Sequence, residues 1–252
     1  MRRTFADRVH AGRVLAGHLA GRPLVDPIVL ALPRGGVCVA HPVAEVLGAP
    51  LEVLVARKLG APSQPELALG AIAEGGPRVI DDQLLWSMHV SAEALAEIEA
   101  TERVELERRV RRYRNGPLPD LEGRDVVLVD DGLATGMTAR AALLALEARH
   151  PRSVLLAVPV GAASTVAELE PLTDEVVCVE QPEPFGSVGS WYDEFPPVED
   201  HEVTRLLADR AEALAPDRVR RHRRSGHDYW VPPRGRRPTD RHDAGGGRTL
   251  GR

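Results

Sequence analysis

Three stretches of this chain, residues 27–32 (Pro27-Ile28-Val29-Leu30-Ala31-Leu32), 126–129 and 154–158, are unbroken apolar runs of strand length. A strand with one wet face alternates apolar and polar residues, so a continuous run requires cover on both faces. Residues 51–56, interrupted only by Glu52, and residues 175–179 read as two further strands. Segments with helical spacing separate or flank them: residues 5–19, 37–47 closed by Gly48, 138–149, 163–169, and 200–214 stopped by Pro216. Such alternation predicts an α/β fold, a doubly wound, mainly parallel sheet of five strands. Its crossovers are right-handed and its ligand lies at the carboxyl ends of the strands.

Residues 60–119 break the pattern. Leu69-Gly70-Ala71-Ile72-Ala73 and Arg78-Val79-Ile80, joined by Glu74-Gly75-Gly76-Pro77, read as a hairpin. Ser91 then caps a long charged helix, whose Glu99/Arg103, Glu105/Arg109 and Glu107/Arg111 pairs fall at i, i+4 in the favourable order. Surface pairing of this kind predicts an insertion standing away from the sheet.

Composition narrows the class. Hydrophobic residues make up 43% of the chain but only nine residues are aromatic, so the core is built from Val, Leu and Ala. No apolar run approaches the ~18 residues of a membrane span, and Arg8, His10 and Arg13 interrupt any signal-like segment. Two cysteines without a CxxC exclude a disulfide scaffold and a Cys-rich zinc site; Cys38 and Cys178 read as small core residues. A cytoplasmic location is expected. The net charge of −5 is uneven: residues 217–252 hold eleven Arg and four Asp, whereas the remainder holds 21 basic and 33 acidic residues. An Arg-, Pro- and Gly-rich tail with few aliphatic residues is expected to be disordered and dispensable. It is able to touch phosphates weakly, but no module for specific nucleic acid accompanies it. Of 32 basic residues only Lys58 is lysine. Either a compact point charge is required there or the lysine survives by chance.

The most informative stretch is Val126-Val127-Leu128-Val129-Asp130-Asp131-Gly132-Leu133-Ala134-Thr135-Gly136-Met137-Thr138. A buried strand delivers two carboxylates to its end, and a glycine-bearing loop leads into a helix. Backbone N–H groups and the Thr135 and Thr138 hydroxyls at a helix N-terminus suit a phosphate. Asp130 and Asp131 suit ribose hydroxyls or a hydrated Mg²⁺ shared with the ligand. Phosphate, diol and metal within one sugar's length describe a phosphorylated ribose. Other chemistries lack support: no HExxH, GxSxG or GxxxxGK[ST] occurs, and Asp81-Asp82 reads as a turn.

Val129-Asp130-Asp131 through Thr135-Gly136-Met137-Thr138 resembles the 5-phosphoribosyl-1-pyrophosphate (PRPP) motif of type I phosphoribosyltransferases. The resemblance spans roughly residues 5–203. It includes Leu32-Pro33-Arg34-Gly35-Gly36, Arg57-Lys58-Leu59-Gly60, Pro65-Glu66-Leu67 and Trp191-Tyr192, and points to a bacterial branch of unknown acceptor. It implies that Asp130 and Asp131 contact the ribose hydroxyls and help hold Mg²⁺. Ala134, Thr135, Gly136, Met137 and Thr138 would cradle the 5′-phosphate. Arg34, Gly35 and Gly36 would form the pyrophosphate loop, often built on a cis peptide, although an ordinary strand-to-helix turn is the alternative. Lys58, at the end of the second strand, would neutralise departing pyrophosphate, and catalysis would fall to Asp131, Lys58 and Arg34. Residues 60–119 would be a mobile flap and 182–200 a hood, within a domain of residues 1–215 followed by a tail, 216–252. In the hood, Trp191 and Tyr192 would either stack on the acceptor or merely pack the loop onto the domain.

One departure bears on the acceptor. Enzymes of this family for 6-oxopurines carry Asp where this chain has Ala134, so hypoxanthine and guanine are disfavoured. Adenine enzymes carry Ala there and use a flap Glu, for which Glu66 is the nearest, loose analogue. The resemblance implies a Mg²⁺-dependent transfer of phosphoribose from PRPP to an unidentified small-molecule acceptor, a nucleobase by class. A non-catalytic PRPP-binding regulator is the main alternative, and a phosphatase-like use of the same site a further one. The partners expected are PRPP, the acceptor and a second copy of the chain, with no membrane.

Overall fold

The computed structural model describes residues 4–62, 64–114 and 116–215; the expectations for the tail lie outside them. Five parallel strands form the main sheet: β1 (Ile28–Ala31), β2 (Leu51–Val53), β6 (Asp125–Val129), β7 (Ser153–Val160) and β8 (Glu175–Glu180). Their order is β2-β1-β6-β7-β8. A second sheet is antiparallel, ordered β3 (Ala56–Ala61), β4 (Gln64–Ala73) and β5 (Arg78–Ile80).

Strand alternation sorts the core onto two faces. Val29, Ala31, Val127 and Val129 face α1 (Arg8–Leu19), α2 (Gly35–Leu47) and α7 (Asp200–Leu214) in one apolar cluster. Ile28, Leu30, Val126 and Leu128 face α5 (Met137–Glu147) and α6 (Ala163–Leu169) in another. Both faces are covered, as the unbroken apolar runs require. The helices α1 and α2 meet closely: a Cβ on Gly12 would collide with the backbone of Val39. Helix α2 ends at Gly48 in the left-handed region (φ 64°), which releases the chain toward β2. No described helix is long and apolar enough to cross a membrane.

Three expectations are corrected. The strand expected over 51–56 is two strands in different sheets. β2 stops at Val53, and Leu54 N donates to Ala31 O. Val55 then exchanges hydrogen bonds with Glu74, its N donating to Oε2 (3.2 Å) and its O accepting from Glu74 N (2.9 Å), which starts the second sheet. Lys58 therefore lies inside β3, not at the end of a main-sheet strand. The second correction concerns the long helix, α4 (Ala92–Tyr113), which is docked rather than standing away. Leu95, Ile98, Leu106, Val110 and Tyr113 make an apolar stripe at spacings of three, four and eight, and Leu106 and Tyr113 are buried in the first cluster. Arg57 on β3 holds Glu102 of this helix (Nε–Oε2 2.7 Å). The i, i+4 pairs form as expected, yet Glu99 and Arg109 are largely buried and only the Glu107/Arg111 pair lies wholly on the solvent side. Third, Asp81-Asp82 is a helix start: Asp81 Oδ1 accepts from Leu84 N (2.9 Å) and caps α3 (Asp82–Ser87).

Asp125 is the polar anchor beneath β6. It is 1% exposed and accepts from Arg152 Nε (2.8 Å) and Nη2 (2.6 Å), Ser153 Oγ (2.7 Å) and Val25 N (2.6 Å). Burial alone would raise its pKa, but these donors outweigh burial and hold it at about 2. Because that lies below the unfolded value of about 3.9, the group stabilises the fold above that pH. Its contribution is lost as pH falls through about 2. Asp125→Asn is expected to cost about 2 kcal/mol, a fall in Tm of about 4–8 °C for a domain of this size. It should also flatten the acid limb between about pH 4 and 2; thermal melts of both proteins across that range check it.

Candidate active site

In a sheet of this order, the first strand lies between the second and the third parallel strand. Successive connections leave β1 and β6 toward opposite faces, and a crevice opens at their carboxyl ends. The two expected segments meet there. Leu32 N donates to Val129 O (2.9 Å), joining the ends of β1 and β6. The Pro33–Arg34 peptide is cis. Gly35 and Gly36 then pass directly against the paired carboxylates. A Cβ on Gly35 would collide with Asp131 Oδ2, and one on Gly36 would sit 2.8 Å from Val129 O and 3.1 Å from Asp130 Cα. Only glycine lets this backbone approach so closely.

Two helices begin at this crevice without side-chain caps. Helix α2 follows Arg34 and α5 follows Gly136, which adopts φ 67°; neither first turn contains an acidic residue. At α2, Gly36 N donates to Leu32 O (3.1 Å) and Val37 N to Arg34 O (3.2 Å); both helix dipoles favour an anion. The loop before α5 is pinned from behind: Leu133 N donates to Val160 O (2.9 Å) and Thr165 Oγ1 to Ala134 O (2.6 Å). Thr135 is exposed and Thr138 half-buried.

The carboxylates differ in their surroundings. Asp130 Oδ1 accepts from Asp131 N (2.8 Å). Burial and, next, the neighbouring Asp131 charge push the Asp130 carboxyl well above the usual range. Burial raises Asp131 too, but Arg8 opposes it, with Nε donating to Asp131 Oδ2 at 2.8 Å. Lys58, exposed on β3, lies close enough to favour the ionised form of both. Arg34 Nη1 lies 3.9 Å from both Glu199 and Asp200 at the start of α7. Asp200 in turn accepts from Tyr113 Oη (2.6 Å) and Arg108 (3.1 Å). Two carboxylates supply the hard oxygen donors that Mg²⁺ takes when water and phosphate oxygens complete its shell. Among the described residues no group of three or more His, Cys, Asp or Glu is arranged to hold an ion. The donors fit an ion shared with a ligand.

Trp191 and Tyr192 are 8% and 1% exposed, in a cluster with Phe5, Ala11 and Val160. Trp191 Nε1 donates to Phe185 O (2.9 Å) and Tyr192 Oη to Asp131 O (2.6 Å). Packing, the second reading open at the level of sequence, describes both rings here. Cys38 is buried with its Sγ 3.7 Å from Glu202 Oε1, and burial pushes its thiol up to about 12. Cys178, half-buried on β8, is pushed up to about 12 in the same way. The Glu66 side chain lies outside the described structure. The residue missed in the sequence is Arg8, and the only signal for it was its place in the first turn of a helix expected to pack beside the sheet.

The phosphoribosyl transferase domain model matches residues 10–191. Two Mycobacterium tuberculosis relatives, from strains CDC 1551 and H37Rv, are each 48% identical over 209 residues, 82% of this chain and 47% of theirs. The H37Rv protein is named "Putative phosphoribosyl transferase Rv0571c". The chain thus spans about half the length of these relatives. The crystal structure of TT1426 from Thermus thermophilus has a TM-score of 0.67 and 44% identity, covering 82% of this chain and 98% of that one. A crevice at the β1/β6 switch point, lined by residues 32–36 and 129–138, thus coincides with a match over most of the described fold, and the chain belongs to the type I phosphoribosyltransferase family.

Proposed function

We propose that this protein transfers the phosphoribosyl group of PRPP to a small-molecule acceptor, a nucleobase by class, with release of pyrophosphate. The observation that carries the proposal is the direct packing of Gly35 and Gly36 against Asp130 and Asp131, between two uncapped helix N-termini. A sugar there has its 5′-phosphate on the Ala134, Thr135, Gly136, Met137 and Thr138 loop, its 2′- and 3′-hydroxyls on Asp130 and Asp131, and its diphosphate on Arg34, Gly35 and Gly36. An acceptor nitrogen attacks C1 as the bond from C1 to the diphosphate oxygen breaks, through an oxocarbenium-like transition state. The departing charge is met by Lys58, by Arg34 and by the positive end of the α2 dipole. Asp130 and Asp131, together with ligand oxygens, would hold Mg²⁺, which would supply further neutralisation of the diphosphate. Because Ile72, Leu106 and Tyr113 are buried in the first apolar cluster, a lid that excludes water from the activated sugar is the outer part of the expected flap and not the whole of residues 60–119.

The acceptor lies beside residues 182–200, with Trp191 and Tyr192 anchoring that segment from beneath. The side chain of Ala134 offers no carboxylate to a base, which disfavours 6-oxopurines. The decisive experiment incubates the protein with PRPP, Mg²⁺ and a panel of bases and measures pyrophosphate. Release that depends on one base is expected. PRPP binding without release for any acceptor would make the protein a PRPP-binding regulator instead, and no binding at all would remove the site assignment.

A further inference from the structure

We propose that Arg8 is a positioning residue of the sugar site: it fixes the Asp131 carboxylate and couples it to the segment beside the acceptor. The inference rests on the PRPP reading above. Arg8 opens α1, remote in sequence from every motif, yet its side chain is only 11% exposed. Its guanidinium is used three ways at once. Nε donates to Asp131 Oδ2 (2.8 Å), Nη1 donates to Pro196 O (2.7 Å), and Cζ lies 3.6 Å from the centroid of the Phe195 ring. A planar fork can satisfy a carboxylate, a carbonyl and an aromatic face together; an ammonium on a flexible stem cannot do so in one geometry.

The contacts close into a circuit. Tyr192 Oη holds the Asp131 carbonyl at 2.6 Å, and the Tyr192 ring lies 4.8 Å from Phe195, on which Arg8 rests. Asp131 is thereby held at its backbone by Tyr192 and at its carboxylate by Arg8. Its other neighbour is Gly35, where a Cβ would also come within 2.9 Å of Arg8 Nε. Asp131, Phe195 and Pro196 thus share one largely buried cation, beside the backbone of Gly35. Asp130 is placed differently, its carboxylate accepting from the neighbouring backbone. Asp131 is thus the carboxylate whose direction a second element fixes. Arg8 touches no ligand in this scheme and acts through Asp131.

Calorimetry with Mg²⁺-PRPP on the full chain tests it, using Arg8→Met and Arg8→Gln to remove the charge and Arg8→Lys to restore it. Affinity for Mg²⁺-PRPP should fall about tenfold or more in the Met and Gln variants and recover in part in the Lys variant. Affinity for inorganic phosphate should stay at the wild-type value, because the phosphate loop is built from other residues. In an Asp131→Asn background, Arg8→Met should cause little further loss. Wild-type PRPP affinity in a folded Met or Gln variant would overturn the positioning role. Equal losses for PRPP and phosphate would also overturn it, since they would mean general unfolding of the site. Absence of PRPP binding by the wild-type protein is a separate outcome, which overturns the PRPP reading and this inference with it.

Discussion

Replacing Asp130 and Asp131 together with Asn is expected to lower Mg²⁺-PRPP affinity by a hundredfold or more while leaving inorganic phosphate binding intact. The substitution preserves side-chain size and hydrogen-bonding atoms and deletes two negative charges. Hydrogen bonds to charged groups contribute about 1.5–3 kcal/mol each, so two of them correspond to at least a hundredfold in affinity. The pair is costly to keep: both carboxylates are partly buried beside each other, and burial pushes both pKa values up. Nothing in the packing of β6 needs them, because the strand is anchored at its other end by Asp125 and its donors. On the proposed reading, phosphate at Thr135 and Thr138 would meet the backbone donors of α5, which the substitution does not touch. Calorimetry with both ligands, alongside thermal melts to confirm folding, decides the matter. Unchanged PRPP affinity in a folded double variant would mean that the carboxylates only end the strand.

Gly35→Ala gives the second large effect, and it runs against helix propensity. Position 35 is the first residue of α2, and in a helix alanine is favoured over glycine by up to about 1 kcal/mol. Propensity alone therefore predicts a stabler protein. The tertiary contact predicts the reverse for the site. The new methyl group would occupy the space of the Asp131 carboxylate and press on Arg8 Nε, 2.9 Å away. Asp131 is short and tied to Arg8 and Tyr192, so it must leave its rotamer or the loop must move. Either shift separates the diphosphate loop from the ribose carboxylates. Mg²⁺-PRPP affinity should fall by about a hundredfold, the scale of a lost charge-assisted contact and a displaced loop together. Tm should change by only a few degrees, because no core residue is altered. Binding isotherms and melts on the single variant test it; full affinity would show that the loop and the carboxylates act independently.

Both experiments use segments that the sequence already marked. The unbroken apolar runs at 27–32 and 126–129 specified strands covered on both faces, and the turn chemistry after them marked where each strand ends. Those are local properties, carried by periodicity over a few residues and by glycines at turns. The strand switch near Val53 was not legible, because residues 51–56 are apolar but for Glu52 and nothing local marks a break after Val53. What divides them is the pairing of Val55 with Glu74, just past the end of β4. The docking of α4 was obscured by its many charges, although its apolar stripe was present in the sequence.

The sequence by itself determined the order of the five main strands along the chain, the helices between them, and the family to which the phosphate loop and carboxylates point. Tertiary structure alone decided that Lys58 stands on a second sheet, that Trp191 and Tyr192 are buried, and that Arg8 holds Asp131. Periodicity and turn residues act over a few positions, so a local pattern suffices to specify an element. The contact of Arg8 with Asp131 joins residues 123 positions apart, and no local pattern carries it. It exists only because α1 packs on α2, and α2 begins with the glycine that lies against Asp131.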